Sequence, residues 1–437
     1  MSKVDDTQAT DATTNAPAPE TTTDETPLLS VRGLEKHFPV NTGFISSLKL
    51  DRSGGFPLAF DDTKVRAVDG VNFDLYPGET FGVVGESGCG KSTLARTLVG
   101  LEQPTDGEIV FQGEDVSSFD SASLREFRKN AQIVFQDPQS SLNPRRKIGS
   151  IVADPLEAAG WDEDRRRQRV LELLEDVGLE RDFYNRYPHE FSGGQRQRIN
   201  LARALSINPD LVIADEPVSG LDMSVQAQIL TLMDDLQEEY GLTYLFITHD
   251  LSVIRQVADR IAVMYVGDFV EKAPTSRLFS EPHHPYTRAL LDAVPNPDPD
   301  SRELTAKLHG DVPSPSDPPT GCKFHTRCPK IIPPDGFSRE EYIEYVTLKA
   351  EFDRETVDPA ADPGDYFEGS APAVARDVVR EALDLAADDE WEAARTTLDE
   401  HQSRCETTVP DLEQVADAPA HTSACHLPDE DRETYSW

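Results

Sequence analysis

The chain has 437 residues, 38% of them hydrophobic and 28% charged, which allows two or three domains with a real core and excludes a fibrous or wholly disordered protein. Against 42 Lys and Arg stand 80 Asp and Glu, a formal net charge of −38, and such a surface repels nucleic acid. No apolar run reaches membrane-spanning length and the N-terminus shows no signal-peptide core, so the chain reads as cytoplasmic, with any membrane role left to a partner.

Residues 1–27 are Thr, Asp, Ala and Pro with almost no large apolar side chain, and disorder is expected there. Order is expected from LLSVRGLEKHF (28–38), while 41–63 reads as a Gly/Ser-punctuated surface excursion. VRAVDGVNFDLYPGE (65–79) predicts two short strands with a Pro-Gly turn. Beyond it, FGVVG (81–85), QIVF (132–135), LVIA (211–214), TYLFIT (243–248) and RIAVMYVG (260–267) read as strands. They alternate with helical patterns after Lys91, after Gln195, at 224–239 and at 251–258, which predicts an α/β domain with a mainly parallel sheet. Residues 154–190 read as an all-helical insertion, 283–330 as Pro-rich loop, and 331–400 as an acidic segment with one helical stretch at 374–400. That stretch reads as a carrier of solubilising charge rather than a docking element. No internal repeat is present. The acidic residues run through the whole chain, which favours a halophile's charge pattern over an acidic appendage.

GESGCGKST (85–93) fits G-x-x-x-x-G-K-S/T, follows a predicted strand and opens a predicted helix, the context a P-loop requires. Its glycines let successive N–H groups turn inward on an anion, and the helix N-terminus adds positive potential. The ATP-binding set is therefore Gly85, Glu86, Ser87, Gly88, Cys89, Gly90, Lys91, Ser92 and Thr93. Lys91 is assigned to the β- and γ-phosphates and Ser92 to Mg²⁺, with Cys89 as a small filler. In LVIADEPVSGLD (211–222), Asp215 ends an apolar strand and offers a hard oxygen ligand for Mg²⁺, and Glu216 can orient or deprotonate the attacking water.

Between these motifs lies FSGGQRQRINLARAL (191–205), and with it the chain resembles ATP-binding-cassette (ABC) ATPases. The resemblance implies an ABC-type P-loop nucleotide-binding domain with a mainly parallel core sheet, an antiparallel β subdomain and a helical subdomain, plus a C-terminal extension. It implies that Ser192, Gly193, Gly194 and Gln195 form the signature motif, which completes the nucleotide site of a partner subunit; Phe191 replaces the commoner Leu. It further implies that Gln136 senses Mg²⁺ and links to the transmembrane partner, that His249 contacts the γ-phosphate, that Asp222 belongs to the D-loop, and that Phe38 stacks on adenine. VFQDPQSSLNPR (134–145), YPHEFSGGQRQR (187–198), HHPYTRALLDAVP (283–295) and GDVPSPSDPPTGCKFHTRCP (310–329) are similar to ATPase subunits of oligopeptide/dipeptide importers. That family implies a second ATPase subunit, two membrane permeases and an extracellular binding protein, on the cytoplasmic face of the membrane. Nickel or oligosaccharide import remain alternatives. A soluble cassette acting on ribosomes or DNA is disfavoured by the single P-loop and by the acidic surface. The expected layout is a nucleotide-binding domain at 28–282 with a helical subdomain at about 137–205, a C-terminal extension at 283–330 and 401–437, and an insertion at 331–400.

Besides Cys89, the cysteines are Cys322, Cys328, Cys405 and Cys425. Four soft thiolates suit zinc or an iron–sulfur cluster, and unpaired fillers are the plain alternative. Some peptide-importer ATPases hold a 4Fe-4S cluster on four C-terminal cysteines that begin C-x5-C, as Cys322 and Cys328 do; His325, His421 or His426 are substitutes in a zinc site. The long gap between Cys328 and Cys405 departs from the family pattern, and loop-closure cost grows slowly enough to tolerate it.

Overall fold

Strands made of uninterrupted buried residues need cover on both faces, which a parallel sheet between helices provides. Every residue of Thr80–Val84, Leu211–Asp215 and Thr243–Thr248 is buried. The computed structural model describes residues 26–40, 48–49, 59–60, 64–137, 140–293, 310–368, 371–416 and 418–428. The expected disorder of 1–27 falls, up to residue 25, outside the described residues, as does most of 41–63. An eight-stranded sheet runs in the order Glu413–Gln414, Thr422–Ser423, Asp268–Pro274, Arg260–Tyr265, Thr80–Val84, Thr243–Thr248, Leu211–Asp215, Ala131–Val134. From Arg260–Tyr265 to Ala131–Val134 neighbours pair in parallel; Asp268–Pro274 turns back antiparallel, and Thr422–Ser423 adds to it. Helices Lys91–Leu98, Met223–Tyr240 and Leu251–Val257 bury their apolar faces in the two cores beside this sheet.

A second, antiparallel sheet has the order Lys64–Leu75, Leu29–Pro39, Asp106–Phe111, Glu114–Asp115. It corrects the reading of 65–79. One strand, Lys64–Leu75, pairs along the whole of Leu29–Pro39 from Pro39↔Lys64 to Leu29↔Leu75, and register shifts absorb the irregular middle. The helical part comprises Ile148–Val152, Asp154–Ala158, Glu163–Asp176 and Gly193–Ala204, packed through Leu156, Val170, Leu173, Ile199 and Leu201. No helix among the described residues is long and apolar enough to cross a membrane.

The C-terminal third is more regular than its sequence suggests. Pro285–Asp292 is a helix, not loop: Pro285 stands at the first turn, where its missing N–H costs nothing, and His284 Nδ1 caps by accepting from Tyr286 N. Helix Arg339–Asp353, opened by a Ser338–Glu341 capping box, packs with two further helices. The expected single helix over 374–400 is two, Arg376–Ala387 and Trp391–Leu398, because Asp389 adopts a left-handed φ of 65°. Phe337, Tyr342, Tyr345, Phe352, Val379, Leu383 and Leu398 give these helices an apolar core of their own. The segment is thus a folded body, more than a charge carrier. Its ends meet: Cys322 N donates to Cys405 O at 2.8 Å, and a Cβ on Gly321 would lie 2.4 Å from the same carbonyl, so only glycine permits this approach.

Candidate functional site

The phosphate loop joins strand Thr80–Val84 to helix Lys91–Leu98. Gly90 has φ 112°, and a Cβ there would lie 1.9 Å from Ala67 O, so this turn requires glycine. Lys91 is buried, and its Nζ donates to Gly85 O (2.8 Å) and Glu86 O (2.9 Å), spanning the mouth of the loop. Cys89 is buried beneath it, with burial pushing its thiol pKa up, and its carbonyl accepts from Gly267 N, as a packing residue should.

The acidic motif meets this loop from Leu211–Asp215, one strand removed across Thr243–Thr248. Ser92 Oγ donates to Asp215 Oδ1 at 3.1 Å. Burial, aided by the adjacent Glu216 carboxylate, raises Asp215 above the usual carboxylate range even though Ser92 opposes the shift. Glu216 sits at φ 49°, an unusual conformation for a residue with a side chain, fixed by its N–H donating to Ile247 O. Its Oε2 accepts from Gln136 Nε2 at 2.7 Å and its Oε1 lies 2.9 Å from His249 Nδ1. Gln136, Glu216 and His249 each follow the C-terminal end of a parallel strand, where α/β sheets hold their ligands. A cleft of about 460 Å³ opens there, lined by Gly85, Glu86, Ser87, Gln136, Glu216 and His249, and by Leu290 of helix Pro285–Asp292.

The predicted residues do not all converge. Ser92 and Asp215 meet, but Gln136 is held on Glu216 rather than beside them. Phe38 is partly buried on strand Leu29–Pro39, opposite Val65, with Lys36 Nζ 4.8 Å from its ring centroid, and does not line the cleft. Ser192 accepts from Gln195 N while Gln195 Oε1 accepts from Ser192 N, a capping box that opens helix Gly193–Ala204. Ser192 and Gly193 are exposed, and none of the four signature residues lines the cleft. Asp222 caps helix Met223–Tyr240, accepting from Val225 N at 3.0 Å and Ser224 Oγ at 2.7 Å.

The four remaining cysteines form a second polar locus. Cys322 and Cys328 pack against both the ATP-site core and the insert's core, Cys405 is buried in the latter, and Cys425 follows strand Thr422–Ser423. Burial, with Cys425 and Cys405 nearby, pushes the Cys322 thiol up to about 12; burial and the other three thiols push Cys328 well above its usual value. The histidines considered as substitutes are engaged with oxygen: His325 Nδ1 on Cys322 O (2.9 Å), His421 Nε2 on Glu271 Oε1 (2.7 Å), His426 Nε2 on Thr408 O (2.8 Å). Among the described residues, no three of the cysteine sulfurs lie within 4.8 Å of one another.

Residues 68–219 match the ABC transporter family profile, and 270–333 match "Oligopeptide/dipeptide transporter, C-terminal region". The chain is 51% identical over 306 residues to the dipeptide transport ATP-binding protein DppF of Haemophilus influenzae, covering 70% of this chain and 89% of the relative. It is 50% identical over 318 residues to the oligopeptide transport ATP-binding protein AppF of Bacillus subtilis (70% and 90%), and 49% identical over 309 residues to DppF of Escherichia coli (70% and 88%). The chain belongs to the oligopeptide/dipeptide family of ABC transporter ATPases. Residues 337–418 match a domain of unknown function, DUF8228, which spans the helical insert and runs past Cys405.

In this ABC ATPase the C-terminal extension does more than mark the family. Glu86 N donates to Tyr286 Oη at 3.0 Å, and the Glu86 carboxylate receives Arg327 at 2.8 and 3.1 Å. Lys323 Nζ donates to Asp69 Oδ2 at 2.8 Å. Tyr286, Lys323 and Arg327 all lie inside the HHPYT and CKFHTRC stretches; the sequence contains them but offers no cue to their distant partners.

Proposed function

We propose that this ABC ATPase powers import of di- and oligopeptides through two membrane permeases fed by an extracellular binding protein, paired with a second ATPase subunit on the cytoplasmic face of the cell membrane. The observation that carries this reading is the joint match of one chain to the ABC profile and to the oligopeptide/dipeptide C-terminal profile. The outward-facing Ser192 and Gly193, remote from the chain's own cleft, suit a site completed across a dimer.

In the hydrolysis step Lys91 turns from the carbonyls of Gly85 and Glu86 to the β- and γ-phosphate oxygens, exchanging one set of hydrogen bonds for another. Glu216 orients the attacking water and takes its proton, while His249 and Gln136 set the carboxylate's direction from either side. Ser92 and Asp215, already in contact, would hold Mg²⁺, with Gln136 as a further oxygen donor; the bound ion would neutralise charge on the phosphates. Phe38, outside the part of the cleft lined by the phosphate loop, is the ring proposed for adenine, and Asp222 the D-loop residue proposed to face the partner.

Sulfur atoms of which no three lie within 4.8 Å of one another suit an iron–sulfur cluster, which spreads its thiolates over several irons, better than a single zinc ion, and Cys322, Cys328, Cys405 and Cys425 would hold it. Outside the cleft, it would act as a structural pin between the ATPase core and the insert. An apolar core of its own supports reading about 331–400 as an insert, while the extension at 283–330 joins the nucleotide-binding core through Tyr286 and Phe324. The acidic surface suits concentrated salt.

Reconstitution with a pair of membrane permeases and a peptide-binding protein from the same organism tests the transport reading. Uptake of a labelled dipeptide that requires ATP and is lost in Lys91→Ala is expected. ATP hydrolysis that never responds to peptide-loaded binding protein would overturn it.

A further inference from the structure

Among the described residues, Glu86 is the phosphate-loop side chain clamped by the C-terminal extension. Its carbonyl accepts from Lys91 Nζ, its N–H donates to Tyr286 Oη, and its carboxylate takes both terminal nitrogens of Arg327. The Arg327 side chain is only 7% exposed, and its Nη1 lies 3.4 Å from Tyr265 Oη. Two-pronged arginine–carboxylate pairs fix direction as well as distance. Removing Glu86 leaves the buried Arg327 charge without compensation.

Arg327 is itself held. It ends the short turn His325–Arg327 between Cys322 and Cys328, and Phe324 before it packs edge-on against Tyr265 (ring centroids 5.3 Å apart) and against Tyr286 (5.3 Å). At the other end of the turn Lys323 donates to Asp69 Oδ2 and to Val266 O. Asp69 also takes His37 Nε2 at 3.0 Å, and His37 adjoins Phe38. One turn thus grips the phosphate loop through Arg327 and the Phe38 strand through Lys323.

We propose that the Cys322–Cys328 turn is a positioning element for nucleotide: Arg327 holds Glu86, and through it the Gly85–Glu86 carbonyls and Lys91, in the ATP-ready form, so that ATP affinity depends on the C-terminal extension. The proposal rests on the phosphate-loop reading above. Arg327 touches neither phosphate nor water; it acts through Glu86, so its loss affects how well the loop receives nucleotide more than the chemical step.

The test uses the full chain with MgATP, comparing wild type, Arg327→Met, Arg327→Lys, Glu86→Gln, the Arg327→Met/Glu86→Gln double variant and Lys91→Ala. Arg327→Met and Glu86→Gln are each expected to raise KM for ATP about tenfold, with kcat within about twofold. The double variant is expected to be no worse than either single, and Arg327→Lys to recover part of the loss. An unchanged KM in Arg327→Met, or fully additive losses, overturns the proposal while Lys91→Ala still abolishes binding. A fall in kcat and Tm at constant KM overturns it too, since that is a merely structural loss. If Lys91→Ala binds ATP normally, the phosphate-loop reading itself fails. Glu86→Gln, on a partly exposed side chain, carries the test should Arg327→Met not fold.

Discussion

The phosphate cleft and the thiol junction both gather reactive groups, but they hold them differently. In the cleft each group has a partner that a phosphate oxygen, a metal ion or a water can replace: Lys91 rests on two carbonyls, Ser92 on Asp215, and Glu216 between Gln136 and His249. Replacing one hydrogen bond by another is nearly neutral, so the site is set up to cycle. At the junction, burial and crowding by one another keep the Cys322 and Cys328 thiols protonated. Such groups are comfortable as neutral packing or as metal-bound thiolates, and neither state invites exchange. The first region is built for turnover and the second for permanence.

The largest expected effect separates the two. Glu216→Gln should lower turnover by about a hundredfold or more while ATP still binds and Tm stays put, read by single-turnover hydrolysis and a thermal melt. Unchanged turnover would remove Glu216 from the chemistry. The converse experiment lies beside the junction. Glu271 and His421 are fully buried together, and Glu271 also accepts from His283 N and His284 N. Glu271→Ala should therefore reduce stability by about 3–5 kcal/mol in denaturant unfolding, with kcat per folded molecule nearly unaltered. Loss of kcat without loss of stability would erase the distinction between the regions.

A smaller effect is expected from Cys405→Ala. Removing this buried sulfur should cost about 1 kcal/mol through the space it leaves, and should abolish any iron carried by anaerobically purified protein. Iron retained at the wild-type ratio would exclude Cys405 as a ligand.

The smallest effect is a pH dependence. Burial pushes Glu271 up, but hydrogen bonds from His421 and His283 N outweigh it and hold the carboxyl below the ordinary 4.5. A lowered carboxylate adds stability that is complete above the ordinary value and is lost as pH falls through the lowered one. Wild type should lose stability on acidification below about 4.5, and Glu271→Gln should lose less over the same range. Parallel acid-denaturation curves would show that the pair contributes no such term.

Legibility in the sequence followed locality. The phosphate loop, Asp215, Glu216 and His249 each sit at the end of a strand whose apolar run is written in consecutive residues, and the structure joins them where adjacent parallel strands end. Helix Arg339–Asp353 was harder to see. Its buried Tyr342, Tyr345, Val346, Leu348 and Phe352 spread over nearly half the helix circumference, so no narrow apolar stripe stands out. The break at Asp389 has no glycine or proline to announce it. The pairing of Glu86 with Arg327 spans 241 positions, and nothing in one sequence connects such residues. The acidic motif was visible as ligand chemistry, but the hold of Gln136 on Glu216 was not, because a side chain's partner depends on strand order rather than on neighbours in the chain.

The returning C-terminal strand has a further consequence. Without it, Asp268–Pro274 would stand at the edge of the central sheet with a row of unpaired N–H and C=O groups. Thr422–Ser423 occupies that row at Glu271 and Lys272, and Glu413–Gln414 covers it in turn. Exposed edges of this kind recruit strands from other molecules. Shortening the chain ahead of Glu413 would bare an adhesive edge, and its first symptom would be self-association while the ATP cleft was still intact.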